Sequence, residues 1–271
     1  MTWVIGASSI FGYGALMSDV RVTFRDGREV DLLQKAFAVG PFIVAGFAGS
    51  VRIGFQLLHS LSAGLVPPTD AEPGMWEPEW VAEHWQPEAQ KLFATADPQE
   101  QKLCSQILLV GISYKLRPEV ANNPRALKQP RVCLIRFDSP TFEPVIVDRP
   151  LSVMHIGSGA AVARYTGEMQ YHFQFNDTLK AEMGQIGMWP KMLARSMGKI
   201  VAESPVGGIS PHVHILVCRN GEIFLMNNNE TRFPGGGAEP IEFKMPVVAG
   251  GYRQFCKMCE ANALTAEGAV A

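Results

Sequence analysis

Short apolar runs broken by turn residues open the chain. Residues 3–7 and 12–17 are two such runs, parted by Ser8-Ser9, and they predict a hairpin. Asp26-Gly27 between two periodic segments predicts a second tight turn. Residues 39–45 form an apolar run rich in β-branched and aromatic side chains, the pattern of one buried strand. From Ser50 the period changes: Ile53, Leu57, Leu58 and Leu61 recur at three and four, so a helix starts directly after a glycine turn. Asp97-Pro98-Gln99-Glu100 reads as an N-cap, a proline at the first helical position and an acidic third residue. The helix it opens is expected to run on and bury Leu103, Ile107 and Val110. Strands are expected over 132–137, 145–147 and 151–156, helices over 160–175 and 188–202, and closing strands over 213–218 and 223–226 across an Arg219-Asn220-Gly221 turn. Strands, helices, strands, helices, strands imply a layered α+β design.

Residues 64–86 break the pattern. Pro67, Pro68, Pro73 and Pro78 punctuate them, and Trp76, Trp80 and Trp85 cluster there. The segment reads as a surface insertion whose tryptophans either fold it onto the body or form a docking or lid segment. One domain over 1–250, carrying this insertion, is followed by a tail at 251–271 whose Ala/Glu/Gly composition has little to bury and is expected to be loose.

Composition narrows the setting. The 271 residues are 47% hydrophobic, enough for a sizeable core, with a net charge of −2. Nothing in that balance suggests nucleic acid, and no basic run suggests a membrane surface. The start lacks a positively charged leader, and no apolar run approaches the ~18 residues of a membrane span. An odd set of five cysteines without a leader favours reduced thiols and a cytoplasmic protein. Cys256 and Cys259 form a lone CxxC, His212 and His214 are only two ligands, and Gly235-Gly236-Gly237 lacks the strand and helix of a phosphate loop; none is read as a metal or cofactor site.

The chemistry lies at the other end. If Met1 is removed, Thr2 carries a hydroxyl nucleophile and an α-amine base on one residue. Such an amine has a reference pKa of about 7.7–8.0 and is partly unprotonated near neutral pH, where a general base works best.

Thr2, Asp19-Val20-Arg21-Val22-Thr23, Lys35, Ala45-Gly46-Phe47-Ala48-Gly49 and Ile156-Gly157-Ser158-Gly159 together resemble proteasome β-type subunits, above all the bacterial ATP-dependent two-ring peptidase and other bacterial proteasome homologues. The likeness covers Thr2 to about residue 60, a stretch at 153–164 and a weaker one at 201–217. The steps from Asp19 to Lys35 and from Lys35 to Gly49 agree with the family; the step from Thr2 to Asp19 is one residue longer. The resemblance implies a four-layer αββα sandwich of the N-terminal nucleophile hydrolase type. It also implies a homo-oligomeric ring with its sites facing a chamber, peptide or unfolded protein as substrate, an ATP-driven unfoldase as a possible partner, and no cofactor. It assigns Thr2 as nucleophile, Lys35 as the charge beside it, Asp19 as the partner of Lys35, and the Gly49 N–H as oxyanion donor. Ser158 would orient the Thr2 amine. Arg21 and Thr23 would support substrate binding, the Thr23 backbone pairing an extended peptide. Where the family has an aspartate ahead of a Gly-Gly pair, this chain has Glu203 ahead of Gly207-Gly208, so Glu203 takes that place in the serine and amine network. A catalytically silent assembly subunit and a small-molecule amidase on the same fold are the competing readings.

Overall fold

The structure is a computed structural model that describes residues 2–65, 77–113, 115, 130–173, 179–181, 183, 187–219, 222–232 and 239–271. Met1, Pro67, Pro68, Pro73, Trp76, the 220–221 turn, residues 174–175 and the 235–237 glycines lie outside them.

Two five-stranded antiparallel sheets organise the chain. The first has β10 (Val153–Ile156), β1 (Val4–Ser8), β2 (Gly14–Asp19), β11 (Val213–Arg219) and β12 (Glu222–Asn227) side by side. The second orders β5 (Ala36–Gly40), β6 (Ile43–Gly49), β7 (Ser105–Ser113), β8 (Arg131–Asp138) and β9 (Val145–Val147). A short hairpin, β3 (Arg21–Thr23) with β4 (Glu29–Asp31), follows β2, and β13 (Glu230–Arg232) pairs with β14 (Ile241–Phe243). Helices among the described residues include α1 (Val51–Gly64), α2 (Pro78–His84), α3 (Gln86–Thr95), α4 (Pro98–Gln101), α5 (Ala163–His172), α6 (Met188–Glu203) and α7 (Tyr252–Ala261). The α+β class expected from the element order is the one observed. No helix among the described residues is long and apolar enough to cross a membrane.

Three apolar clusters hold these elements. Trp3, just before β1, and Ile5, Met17, Val213 and Ile215 of the first sheet pack with Tyr165 and Met169 of α5 and Trp189, Leu193 and Met197 of α6. Val4, Leu16 and Leu216 of the first sheet meet Val44, Leu108 and Leu134 of the second. Ala45, Phe47, Ile107, Leu109 and Ile135 of the second sheet pack with Leu57 and Leu61 of α1, Val81, Phe93 and Phe255. Successive strand side chains point to opposite faces, so Val4 and Ile5 enter different clusters, as do Val44 and Ala45. Both faces of these strands are covered, and their sequences therefore read as unbroken apolar runs.

Three expectations are corrected. Residues 39–45 are not one strand: β5 ends at Gly40, Pro41-Phe42 make a bend, and β6 starts at Ile43, paired back onto Gly40. The Asp97 cap is formed, its carboxylate accepting from the Gln99 N–H at 2.7 Å, but α4 stops at Gln101 and Cys104 has a positive φ of 57°. Ile107 and Val110 then lie on strand β7, where Ile107 and Leu109 face one cluster and Leu108 and Val110 the other. The tail is not loose: α7 occupies its first part, and Leu264, Ala269 and Ala271 are buried. The described part of the insertion folds onto the body, with Trp85 4% exposed and edge-on to Phe137.

Candidate active site

Thr2 lies two residues before β1, Asp19 closes β2, and Lys35 sits just before β5. The β1–β2 register sets Val4 opposite Ser18, and the Asp19 N–H donates to the Trp3 carbonyl, which draws Thr2 and Asp19 together at one sheet end. The Lys35 carbonyl accepts from the Phe47 N–H, which fixes that lysine beside the second sheet.

The three side chains meet. Thr2 Oγ1 donates to Asp19 Oδ1 at 2.5 Å, and Lys35 Nζ lies 3.0 Å from both Asp19 oxygens and donates to Thr2 Oγ1. All three are buried: Thr2 is 1% exposed, Asp19 and Lys35 0%. Burial pushes the Lys35 ammonium below its ordinary value, while the Asp19 charge and hydrogen bonds oppose that fall. Asp19 is held by more than Lys35. Its Oδ1 accepts from the Trp3 N–H at 2.9 Å, and its Oδ2 from the N–H groups of Arg21 at 3.0 Å and Ser210 at 3.3 Å. A carboxylate so surrounded stays oriented when buried.

Ser158 reaches the same residue from the other side. The Thr2 N–H donates to Ser158 Oγ at 3.0 Å, Ser158 Oγ donates to the Thr2 carbonyl at 3.2 Å, and the Gly159 N–H donates to that carbonyl at 3.0 Å. Gly157 makes this approach possible. Its φ is +79°, and a Cβ there would lie 2.5 Å from the Thr2 carbonyl oxygen, so neither conformation nor space admits a larger residue.

A second polar group braces Asp19. Arg21 Nε donates to Asp31 Oδ1 at 2.7 Å, Ser210 Oγ donates to Asp31 Oδ2 at 2.6 Å, and His212 Nδ1 lies 3.0 Å from the same oxygen. Burial alone would raise the Asp31 carboxyl, but the bonds from His212, Arg21 and Ser210 outweigh it and hold the group well below the usual carboxylate range. Arg21 and Ser210 each bond Asp31 by side chain and Asp19 by backbone, so the two carboxylates are fixed by a shared pair of residues.

The expected positions divide as follows. Thr2, Asp19, Lys35 and Ser158 converge. Gly49 ends β6 with φ +102°, where a Cβ would lie 2.3 Å from the Cys104 carbonyl oxygen, and its N–H donates to the Ala271 carbonyl at 2.7 Å. Thr23 presents its backbone as an edge, both donating to and accepting from Val270. The Arg21 guanidinium is engaged by Asp31 and Glu29. Glu203 is corrected. It is exposed at the end of α6 and faces Lys199 at 3.7 Å, one helical turn back, so it takes no part in the serine and amine network. Asp31, Ser210, His212 and Gln106, whose Oε1 accepts from the Gly157 N–H at 2.8 Å, were not anticipated as parts of the site. His212 had only the His-x-His spacing as a signal, which suggested a strand face and no partner.

This arrangement presents a hydroxyl between a carboxylate and an ammonium, with the backbone nitrogen of the same residue on a serine hydroxyl. It can lower the cost of removing the hydroxyl proton and hold an amine next to it. No protein-family model matches the chain, and no curated protein matches it in sequence.

Proposed function

We propose that the protein is a threonine-type N-terminal nucleophile hydrolase, a proteasome-like peptidase that acts once Met1 has been removed. The observation that carries this reading is the convergence of Thr2 Oγ1, Asp19, Lys35 Nζ and Ser158 Oγ around the second residue of the chain. Two antiparallel sheets, with apolar clusters between them and under the helices on either side, support the four-layer αββα architecture of that class. An oligomeric ring with an inner chamber belongs to the same proposal.

In the reaction, Thr2 Oγ1 attacks the carbonyl carbon of a peptide bond and its proton passes to the Thr2 α-amine, directly or through water. The Lys35 ammonium stabilises the oxygen as it loses that proton, and Asp19 keeps the ammonium in place. The Gly49 N–H stabilises the carbonyl oxygen as it becomes an oxyanion, a donor typically worth about 3–4 kcal/mol of barrier. Collapse breaks the C–N bond, the leaving amine takes the proton from the α-amine, and water hydrolyses the threonine ester. Ser158 orients the amine throughout.

The test is hydrolysis of fluorogenic peptides by the purified protein and its Lys35→Ala and Ser158→Ala variants. A loss of about 100-fold or more in Lys35→Ala, with a smaller loss in Ser158→Ala, is the expected order. Undiminished hydrolysis in Lys35→Ala contradicts the proposal. The surface position of Glu203 favours the silent-subunit reading, which total inactivity of a correctly processed chain would select.

A further inference from the structure

The backbone groups of Thr23 and Gly49 that the proposed function assigns to substrate are already paired, and by this chain. Residues Ala269, Val270 and Ala271 lie between β3 and the start of α1. Val270 is bridged antiparallel to Thr23 on one side and to Ser50 on the other. Five backbone hydrogen bonds hold them. The Val51 N–H donates to the Ala269 carbonyl at 3.0 Å; the Thr23 N–H donates to the Val270 carbonyl at 3.0 Å, and the Val270 N–H returns to the Thr23 carbonyl at 2.9 Å. The Gly49 N–H donates to the Ala271 carbonyl at 2.7 Å, and the Ala271 N–H returns to the Gly49 carbonyl at 2.8 Å. Strand addition of this kind satisfies a peptide's main chain and leaves alternate side chains to decide fit.

The direction of the strand matters. It is antiparallel to both walls, so from Ala269 to Ala271 it passes Val51 and then Gly49, heading along β6 toward Phe47, whose N–H is bonded to the Lys35 carbonyl. Along the other wall it heads from Thr23 toward Arg21 and Asp19. The Ala271 carbonyl therefore sits on the donor assigned to the oxyanion, at the end of the groove nearer the nucleophile.

The segment is also anchored. The Gly268 N–H donates to Glu100 Oε1 at 2.7 Å, and Glu100 Oε2 accepts from Ser50 Oγ, which itself caps α1 by accepting from the Ile53 N–H. Glu100 is 3% exposed. Leu264, buried beside Phe255 and Cys259, holds the chain upstream. Side chains alternate as they should on a strand: Ala269 and Ala271 are each 1% exposed and belong to the apolar cluster under α1, while Val270 is only partly buried.

We infer that residues 268–271 are a tethered competitor for the peptide-binding groove, and that the groove takes extended peptides with small apolar side chains at the positions of Ala271 and Ala269 and a freer choice between them. The inference rests on the proposed peptidase reading for its consequence, but the occupancy itself does not. Access to Thr2 then requires the Gly268–Glu100 bond and the five strand bonds to open.

Hydrogen exchange at the Thr23, Gly49 and Val51 amides tests the occupancy without any catalysis. Two variants are compared with the full chain: deletion of residues 267–271, and Val270→Pro, which removes one ladder donor and keeps the length. Protection of the three amides is expected in the full chain and is expected to fall in both variants. Adding the peptide Gly-Ala-Val-Ala to the deletion variant restores it; Gly-Ala-Val-Phe does not. A tethered segment acts at an effective concentration of about millimolar, so labelling of Thr2 by a peptide epoxyketone should quicken roughly tenfold or more once it is removed. Unchanged amide protection after deletion overturns the inference, as does equal restoration by the two peptides. Protection that fades on dilution places a second copy's segment in the groove and overturns the intrachain assignment. Protection that falls while Thr2 stays unlabelled in every variant leaves the competitor standing and defeats the peptidase reading instead.

Discussion

Replacing Lys35 by methionine keeps most of the apolar stem and removes one charge from a site with no exposure to water. Asp19 is then a buried carboxylate without its cation. Breaking a buried pair from one side typically costs about 3–5 kcal/mol, because the remaining charge is uncompensated. Asp19 retains the N–H groups of Trp3, Arg21 and Ser210, which stabilise its charge and place the expected loss near the lower end, about 3 kcal/mol. For a chain of this size that is a fall of roughly 6–10 °C in Tm. Asp19→Asn costs a similar amount, since its amide cannot accept at both sets of backbone donors. In the double variant no charge is left stranded by the loss of its partner. The two changes should therefore be strongly non-additive, with a coupling of about 2 kcal/mol, where independent sites add to within ~0.5 kcal/mol. Urea unfolding of the wild type, both singles and the double measures this directly. Additivity within 0.5 kcal/mol would mean that Lys35 and Asp19 do not share a buried ion pair, and the geometry assigned to the nucleophile would fall with it.

Gly157→Ala should shift Thr2, because the new methyl would lie 2.5 Å from its carbonyl oxygen; the expected results are a stability loss of about 2 kcal/mol and peptide hydrolysis near background, and a fully active variant would refute the packing argument. Asp31→Asn should leave Asp19 less firmly held and lower kcat with little change in KM; an effect confined to KM would point to a substrate contact instead. Burial pushes the His155 and His214 imidazoles down to about 4 from an ordinary 6.5, so both stay neutral in the folded chain while the unfolded chain takes up protons. Stability is therefore full above about pH 6.5 and falls as pH drops toward 4, by roughly 3 kcal/mol for His214 and less for His155, which is more exposed. His214→Leu should flatten that slope in urea titrations between pH 7.5 and 4.5, and an unchanged slope would count against it.

The elements with a strong local signal were legible in the sequence. The start of the helix after Ser50, the Asp26-Gly27 turn and the Asp97 cap all follow from side chains acting within a few residues of themselves. Strand β7 was read as helix because it is covered on both faces. An apolar run buried between two layers carries no alternation, and three- and four-residue spacings arise in it by default. The convergence of Thr2, Asp19, Lys35 and Ser158 was legible through the ordered set of residues that carries the family resemblance. The site was not legible where the partner lies far along the chain: nothing near Asp31 announces Ser210 and His212, and nothing near Gly49 announces Ala271. Glu203 fails for a related reason. It has the right charge at the right offset, yet α6 carries it to an exposed end where Lys199 meets it.

The central claim, a threonine made nucleophilic by its own amine, is most directly tested by the mass of the N-terminal peptide after treatment of the 267–271 deletion variant with a threonine-directed β-lactone. The account predicts a peptide beginning at Thr2 and carrying the lactone as an ester. A peptide that still begins with Met1, or an unmodified Thr2 on a chain whose groove is open, contradicts it.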